Sequence, residues 1–424
     1  MSDCSEVVRI SKNQDENPRE KLDMKLLIAG ATLTASLFAF SHAQADSMAE
    51  MDTMTLRVAS LYGPDSWFTA PMEAYTQRLE QRSNGKLKFE YYYAGSLVPA
   101  KELTSGLGSG LFDFGFVLPA YEAAKFSVDV WQGSLAIPSI SDPILEVATT
   151  ALSGYEWTAG LKAHNQQLLD AGIFAIMPSF SITGPYGVLC KEDNATLADL
   201  EGKRSRVAGE IWTKEAQNIG LTPVALPITE VYQSFQSGVI DCWMGGLADA
   251  GANGFFDHAK YFNLGMGLTA YAQAVYGFNL DTWNAFPSDL KEIVWDETAQ
   301  YAAELLEAAL KQQLRAAKDS VEIGVAYTIP DAEMRAKIDV YHDQVREHAA
   351  ENSPEEVENP AAEVARLSEL RTKWQDILSA EFGFDGNYTS WGDFVAKGGE
   401  LPDFQPLKAR ILSDIVTPYA SSQD

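Results

Sequence analysis

Strand-like and helix-like stretches alternate through two successive blocks and then give way to one helical pattern running almost unbroken from Pro287 to Glu322, an order that restricts the fold more than any other feature of the chain. In the first block, Thr55–Leu61 (TLRVASL) reads as a buried strand and Gly63-Pro64-Asp65 turns the chain. Phe68–Arg82 then repeats apolar residues at helical spacing until Asn84-Gly85 stops it. Leu87–Tyr93 alternates as the next strand, Pro99–Gly106 is helical, Phe112–Leu118 (FDFGFVL) is a third strand, and Leu145–Ala171 suits one long helix or two. The second block repeats this order. Phe174–Pro178 and Tyr186–Cys190 are extended, Thr196 opens a short helix over Leu197–Leu200, and Ser205–Ala208 is a strand. A helix over Ile211–Ile219 closes at Gly220, the strand Pro223–Leu226 follows, and the helix Glu230–Ser237 closes at Gly238 before the strand Val239–Trp243. Ala270–Asn279 reads as a long strand able to return to the first block. This order predicts an α/β protein whose parallel-rich sheets are covered by helices. Two such blocks joined by extended crossings describe a hinged, bilobal molecule.

At about 1.5 Å per residue, the 287–322 pattern makes a helix roughly 50 Å long, enough to lie across both blocks as a strut. Ala332–Ala350 continues as helix, an acidic linker with Pro354 and Pro360 interrupts it, and Ala361–Phe382 resumes it. The Gly-, Pro- and aromatic-rich tail from Tyr388 is expected to pack on the outside. The expected organisation is a first lobe of 46–179 plus about 272–300, a second lobe of 180–271, the bridging helix 287–322, and C-terminal helices and tail over 323–424.

Leu26–Phe40 is a run of 15 residues without a charge, preceded by Met24-Lys25 and followed by Ala43-Gln44-Ala45. The run is short for a bilayer span, and small residues at −3 and −1 of the Ala45/Asp46 bond suit a signal peptidase. A signal peptide starting at Met24 and cleaved after Ala45 is therefore expected, with residues 1–23 dispensable and the periplasm as destination. The whole chain carries 32 Lys and Arg against 59 Asp and Glu, a net −27; removing residues 1–45, with six acidic and five basic side chains, leaves −26. A field of that sign repels phosphate backbones and anionic lipid heads, and with no local basic patch to offset it, nucleic acid is excluded as a partner. Of three cysteines, Cys190 and Cys242 remain after cleavage. Two buried free thiols are the simpler reading, a disulfide the alternative open to an exported protein.

Signatures of catalysis, metal binding and cofactor binding are missing. HExxH, GxSxG and Walker sequences do not occur. His342 and His348, six apart on an expected helix, fall on different faces, which fits solvated surface histidines better than a zinc pair. Gly106, Gly108 and Gly110 follow a helix instead of a strand and mark a helix stop. Carboxylates are so dense that no pair stands out.

What does stand out is Gly202-Lys203-Arg204-Ser205-Arg206-Val207, followed by Leu226-Pro227 and then Glu230-Val231-Tyr232-Gln233-Ser234-Phe235-Gln236-Ser237-Gly238-Val239-Ile240-Asp241. This stretch resembles the solute-binding subunits of TRAP (tripartite ATP-independent periplasmic) transporters, with their G-x-K-x-R-V and E-x-Y-x-A-L-Q-x-G-V-x-D patterns. Asn84-Gly85-Lys86-Leu87-Lys88-Phe89, Ala94-Gly95-Ser96-Leu97, Gly110-Leu111-Phe112-Asp113-Phe114-Gly115 and Leu401-Pro402-Asp403-Phe404 extend the likeness, which covers most of residues 54–300. The resemblance implies a two-lobe, type II-like periplasmic binding protein fold. It also implies a receptor that captures a small organic acid between the lobes and delivers it to the small and large membrane subunits, without enzyme activity. An exported binding protein for an ATP-driven importer or sensor, or an organic-acid-processing enzyme, is the alternative.

In the family, the Arg of G-x-K-x-R-V grips the solute carboxylate; Arg206 is the matching position. A guanidinium offers a rigid two-pronged donor set for a carboxylate. The competing reading is a strand-end Arg206 paired with an Asp or Glu. Lys203 and Arg204 read as surface charges, while Glu230 and Asp241 read as residues that cap a helix and close a turn. The crossing Thr183-Gly184-Pro185-Tyr186-Gly187 lacks the second Arg common in the family, and Asp241-Cys242-Trp243-Met244-Gly245 replaces a D-G-x-E-N continuation. Both departures argue against sialic-acid and simple dicarboxylate ligands and toward a monocarboxylate, or an aromatic or oxo acid, lying against rings. Tyr186 and Trp243 are the expected ring neighbours. Trp67 and Tyr121 are further candidates, because they follow strands at the ends where α/β ligands collect.

Overall fold

The computed structural model describes residues 47–135, 142–269, 274–384 and 387–423. The expected signal peptide and its cleavage site at Ala45 lie outside the described residues, as do the first residues of the strand expected over 270–279. Eleven strands are described: β1 Met54–Ala59, β2 Leu87–Tyr92, β3 Phe114–Val117, β4 Ile173–Met177, β5 Tyr186–Cys190, β6 Arg204–Val207, β7 Thr222–Ala225, β8 Cys242–Gly245, β9 Tyr261–Leu268, β10 Val275–Asn279 and β11 Ala326–Tyr327. They form two sheets, one in the order β2-β1-β3-β10-β4 and one in the order β11-β9-β5-β8-β6-β7. The fold is α/β, with helices covering both sheets. β1 pairs parallel with β2 and β3, and β10 returns antiparallel between β3 and β4, so the expected return to the first block occurs.

The chain crosses between the sheets after β4 and returns before β10, where the Phe180 amide donates to the Ala274 carbonyl at 3.0 Å. The first crossing is held by the long helix Ser288–Glu322, 35 residues of α-helix. Its first half packs on the helix Thr69–Arg82, where Tyr75 stacks on Tyr301 at 4.7 Å and Arg78 pairs with Glu304 at 3.0 Å. Its second half lies on the short helix Leu247–Ala252 of the other block, where a Cβ at Gly251 would come within 2.6 Å of the Ala316 Cβ, so the close crossing requires glycine. Between the two contacts, Gln313 donates to the Ile182 carbonyl of the first crossing and accepts from the Trp391 indole of the tail at 2.9 Å.

Several expectations shift. The 145–171 pattern is two helices, Pro143–Ala159 and Lys162–Asp170, broken at Gly160. β8 starts at Cys242 rather than Val239, because the Val239 and Ile240 amides still bond to the Ser234 carbonyl and complete the end of the preceding helix. β9 carries Asn263, Gly265 and Gly267, which hide its strand character in the sequence. Cys190 and Cys242 stand directly opposite on antiparallel β5 and β8, with Cα atoms 4.1 Å apart, and form a disulfide; the free-thiol reading is corrected. His342 is buried, not solvated, with Nε2 2.7 Å from Glu215 Oε1, an oxygen that also accepts from the Thr269 amide and hydroxyl. Among the described residues, no helix is long and apolar enough to cross a membrane, and no cluster of His, Cys, Asp and Glu could hold a metal ion.

Candidate functional site

β6 reads Arg-Ser-Arg-Val, so alternation sends Ser205 and Val207 to one face and Arg204 and Arg206 to the other. The two arginines meet different surroundings along that face. Arg204 is exposed and binds Asp241 through Nε and Nη2, while its amide also donates to the Asp241 carboxylate. The pair holds the Asp241 carboxyl below its ordinary range, chiefly through the Arg204 side-chain hydrogen bonds. This fits the expected roles of a surface charge and a turn-closing carboxylate. Glu230 precedes the helix Val231–Gln236 without a side-chain capping bond, so that expected cap is not made.

Arg206 is 2% exposed. Its Nε donates to the Leu226 carbonyl at 2.8 Å, and one Nη2 proton points to the Tyr121 hydroxyl at 3.3 Å. Among the described residues it makes no ion pair, which corrects the strand-end pairing considered from sequence. Nη1 and the second Nη2 proton keep their donor capacity. Tyr121 lies in the 3-10 turn Pro119–Lys125 after β3, and its hydroxyl also accepts from the Ile228 amide at 3.3 Å. One phenol from the first block thus meets a strand and a turn of the second, and its own proton remains available to an acceptor.

These groups border a cavity of about 60 Å³. Tyr62, Phe68, Phe116 and Tyr121 reach it from the first block, Phe180, Ile182 and Thr183 from the crossing, and Tyr186, Arg206, Trp212 and Asp249 from the second block. It lies where β1, β3 and β6 end, the edge at which α/β ligands bind. Tyr186 opens β5 and stacks on Trp212 at 5.2 Å; burial pushes its phenol pKa up. The structure therefore brings together Arg206, Tyr186 and Tyr121.

It does not bring Trp243 and Trp67 there. Trp243 is beside Arg206 in register, yet its indole folds forward along its own strand, so that a Cβ at Gly245 would lie 2.0 Å from it, and packs on Phe255 at 5.1 Å. Trp67 stands edge-on to Phe68, and Phe68 is the residue that faces the cavity. Sequence reasoning missed Asp249, which is 5% exposed and lines the cavity from the helix Leu247–Ala252. Burial pushes its pKa up to about 6, against the opposing field of Arg206. Its position after a strand was a signal, lost among 59 acidic residues.

A larger hollow of about 880 Å³ opens at the surface beside the helix Lys162–Asp170. There Lys125 and Lys162 share the lining with Asp170, Glu356, Glu358 and Glu363, a poor setting for an anion.

Residues 188–352 match the family model described as bacterial extracellular solute-binding protein, family 7. That segment is similar to the family. It carries Arg206, Trp212 and Asp249. A solute-binding protein of Sulfitobacter sp. strain NAS-14.1 is 25% identical over 293 residues, covering 66% of this chain and 80% of the other. The sugar acid binding protein of Advenella mimigardefordensis, solved with galactonate, aligns with a TM-score of 0.64 at 17% identity, covering 77% of this chain and all of that one. A marine metagenome TRAP solute-binding protein, solved with pyroglutamate, aligns with a TM-score of 0.63 at 14% identity, covering 76% and 100%. The fold is that of the TRAP periplasmic solute-binding proteins, as the motifs implied.

Proposed function

We propose that this chain is the periplasmic receptor of a TRAP transporter, which closes its two lobes over a compact organic monocarboxylate and presents it, chemically unchanged, to the small and large membrane subunits. The observation that carries the reading is the buried guanidinium of Arg206, anchored by a carbonyl and a phenol instead of a carboxylate and so left with donors facing a cavity between the two sheets. A net charge near −26 repels organic anions at a distance, but a Debye length of about 8 Å at physiological salt screens most of that field. At 4 Å, one fixed cation attracts an anion by about 4 kcal/mol at an effective dielectric of 20. Short range therefore decides.

Galactonate and pyroglutamate, the acids named for two structural neighbours, are both monocarboxylates. A small cavity walled by Phe68, Phe116, Phe180, Ile182 and Trp212 favours a compact acid with few hydroxyls over a polyhydroxylated one. The paired crossings at Phe180 and Ala274 supply the hinge, and the signal pattern ending at Ala45 supplies export.

The reading is tested by thermal-shift screening against small organic acids and their amides. A true ligand at a hundred times its dissociation constant adds about 2.7 kcal/mol of apparent stability. Small monocarboxylates are expected to raise the melting temperature and their amides are not; a flat response across the monocarboxylates would sink the proposal.

A further inference from the structure

Asp249 lines the same cavity as Arg206. Among the described residues, neither of its carboxylate oxygens accepts a hydrogen bond, and Oδ1 is fully buried without a partner. It makes no ion pair with Arg206, although the two charges feel each other. Gly246, at the start of its helix, receives no side-chain cap. Buried carboxylates without partners are costly and rare, so a carboxylate kept in this state and aimed into a cavity calls for a donor that arrives with something else. The groups facing it are Arg206, Tyr62 and Tyr186, and burial pushes both phenols up, so neither supplies a second negative charge.

We infer that Asp249 is a specificity residue: it accepts a hydrogen bond from an N–H or O–H group carried by the ligand, so the receptor selects hydroxy, amino or lactam monocarboxylates over the same acids lacking that donor. The inference rests on Arg206 being the carboxylate anchor. The ligand spans the two side chains, carboxylate on the guanidinium and donor on Asp249, with its hydrocarbon body against Phe68, Phe116 and the stacked Tyr186–Trp212 pair. Asp249 also discriminates by desolvation, since an acid without a donor seals the carboxylate against hydrocarbon with no partner.

The experiment measures affinities by calorimetry for two matched pairs, pyroglutamate with 3-oxocyclopentanecarboxylate and 2-hydroxybutyrate with butyrate, on the wild type and on Asp249→Leu and Asp249→Asn. A hydrogen bond to a charged acceptor is expected to favour the donor-bearing member of at least one pair by roughly ten- to hundredfold in the wild type. In Asp249→Leu the preference should collapse to within about threefold, as binding of the donor-free acid improves. Asp249→Asn, which keeps a neutral acceptor, should fall between. Apo Asp249→Leu should also melt above the wild type, a readout that a structural role for Asp249 would reverse. If the donor-free acids bind the wild type as tightly as their partners, or if Asp249→Leu keeps the preference, the inference is overturned while the role of Arg206 stands. If no acid of the panel binds the wild type, both fall.

Discussion

Replacing Arg206 by alanine removes the cation on which the proposed ligand carboxylate rests, and the structure allows the two consequences to be separated. The first is on binding. Arg206 reaches the cavity from the interior of a sheet, 2% exposed, so no water replaces it as the counter-charge of a bound anion. Breaking a buried ion pair by removing one member costs about 3–5 kcal/mol, roughly two to three and a half decades of affinity. The second is on stability. The Nε bond to the Leu226 carbonyl and the Nη2 contact with the Tyr121 hydroxyl are lost, while the uncompensated field on Asp249 grows. Each orphaned acceptor is worth about 1–3 kcal/mol at most, so the apo protein should remain folded with a lower melting temperature. Arg206→Lys keeps the charge without the fork and should lose roughly ten- to hundredfold in affinity. Calorimetry with the acid found in the screen, alongside circular dichroism of the apo variants, reads both quantities. A loss below fivefold in a folded Arg206→Ala variant refutes the reasoning, because a carboxylate that barely notices this guanidinium is held elsewhere.

The Cys190–Cys242 disulfide closes a loop with a sequence separation of 52, for which loop-closure entropy gives about 4 kcal/mol; reduction should lower the melting temperature markedly, and two free thiols titrated in the denatured, unreduced protein would contradict the bond. Asp249 has a raised folded pKa of about 6, so the cost of its buried charge is full above that pH and is relieved as pH falls from about 6 toward 3.8. The stability advantage of Asp249→Leu over wild type should therefore be largest at pH 8 and shrink by pH 5, by at most about 3 kcal/mol; a constant difference across that range would contradict it. His342→Ala removes one of three donors converging on Glu215 Oε1 and should cost about 1–3 kcal/mol in denaturant melts, with no change in affinity if the Glu215 cluster is purely structural.

The features legible in the sequence were those written in local periodicity. The alternation of β1, the helix after it and β2, the 35-residue helix, and the return of β10 all follow from spacing that a single segment carries by itself. Arg206 became a candidate for a related reason: its strand and the glycine before it form a short motif that resembles the family's. What stayed hidden was set by partners distant in sequence. Cys190 and Cys242 are a disulfide only because β5 and β8 pair antiparallel in one register, and a shift of one residue would separate them. Trp243 had the right composition and the right neighbour, yet the absence of a side chain at Gly245 gave its indole a way into the core and out of the cavity. His342 had the spacing of a solvated helix face, and Glu215, 127 positions away, buried it. Asp249 is the instructive case, because one carboxylate among 59 becomes distinctive only when the described residues around it are seen to offer its Oδ1 no partner. A motif can announce the charge proposed to attract a ligand. The charge proposed to discriminate among ligands is defined by what it fails to touch, which is a property of the folded chain alone.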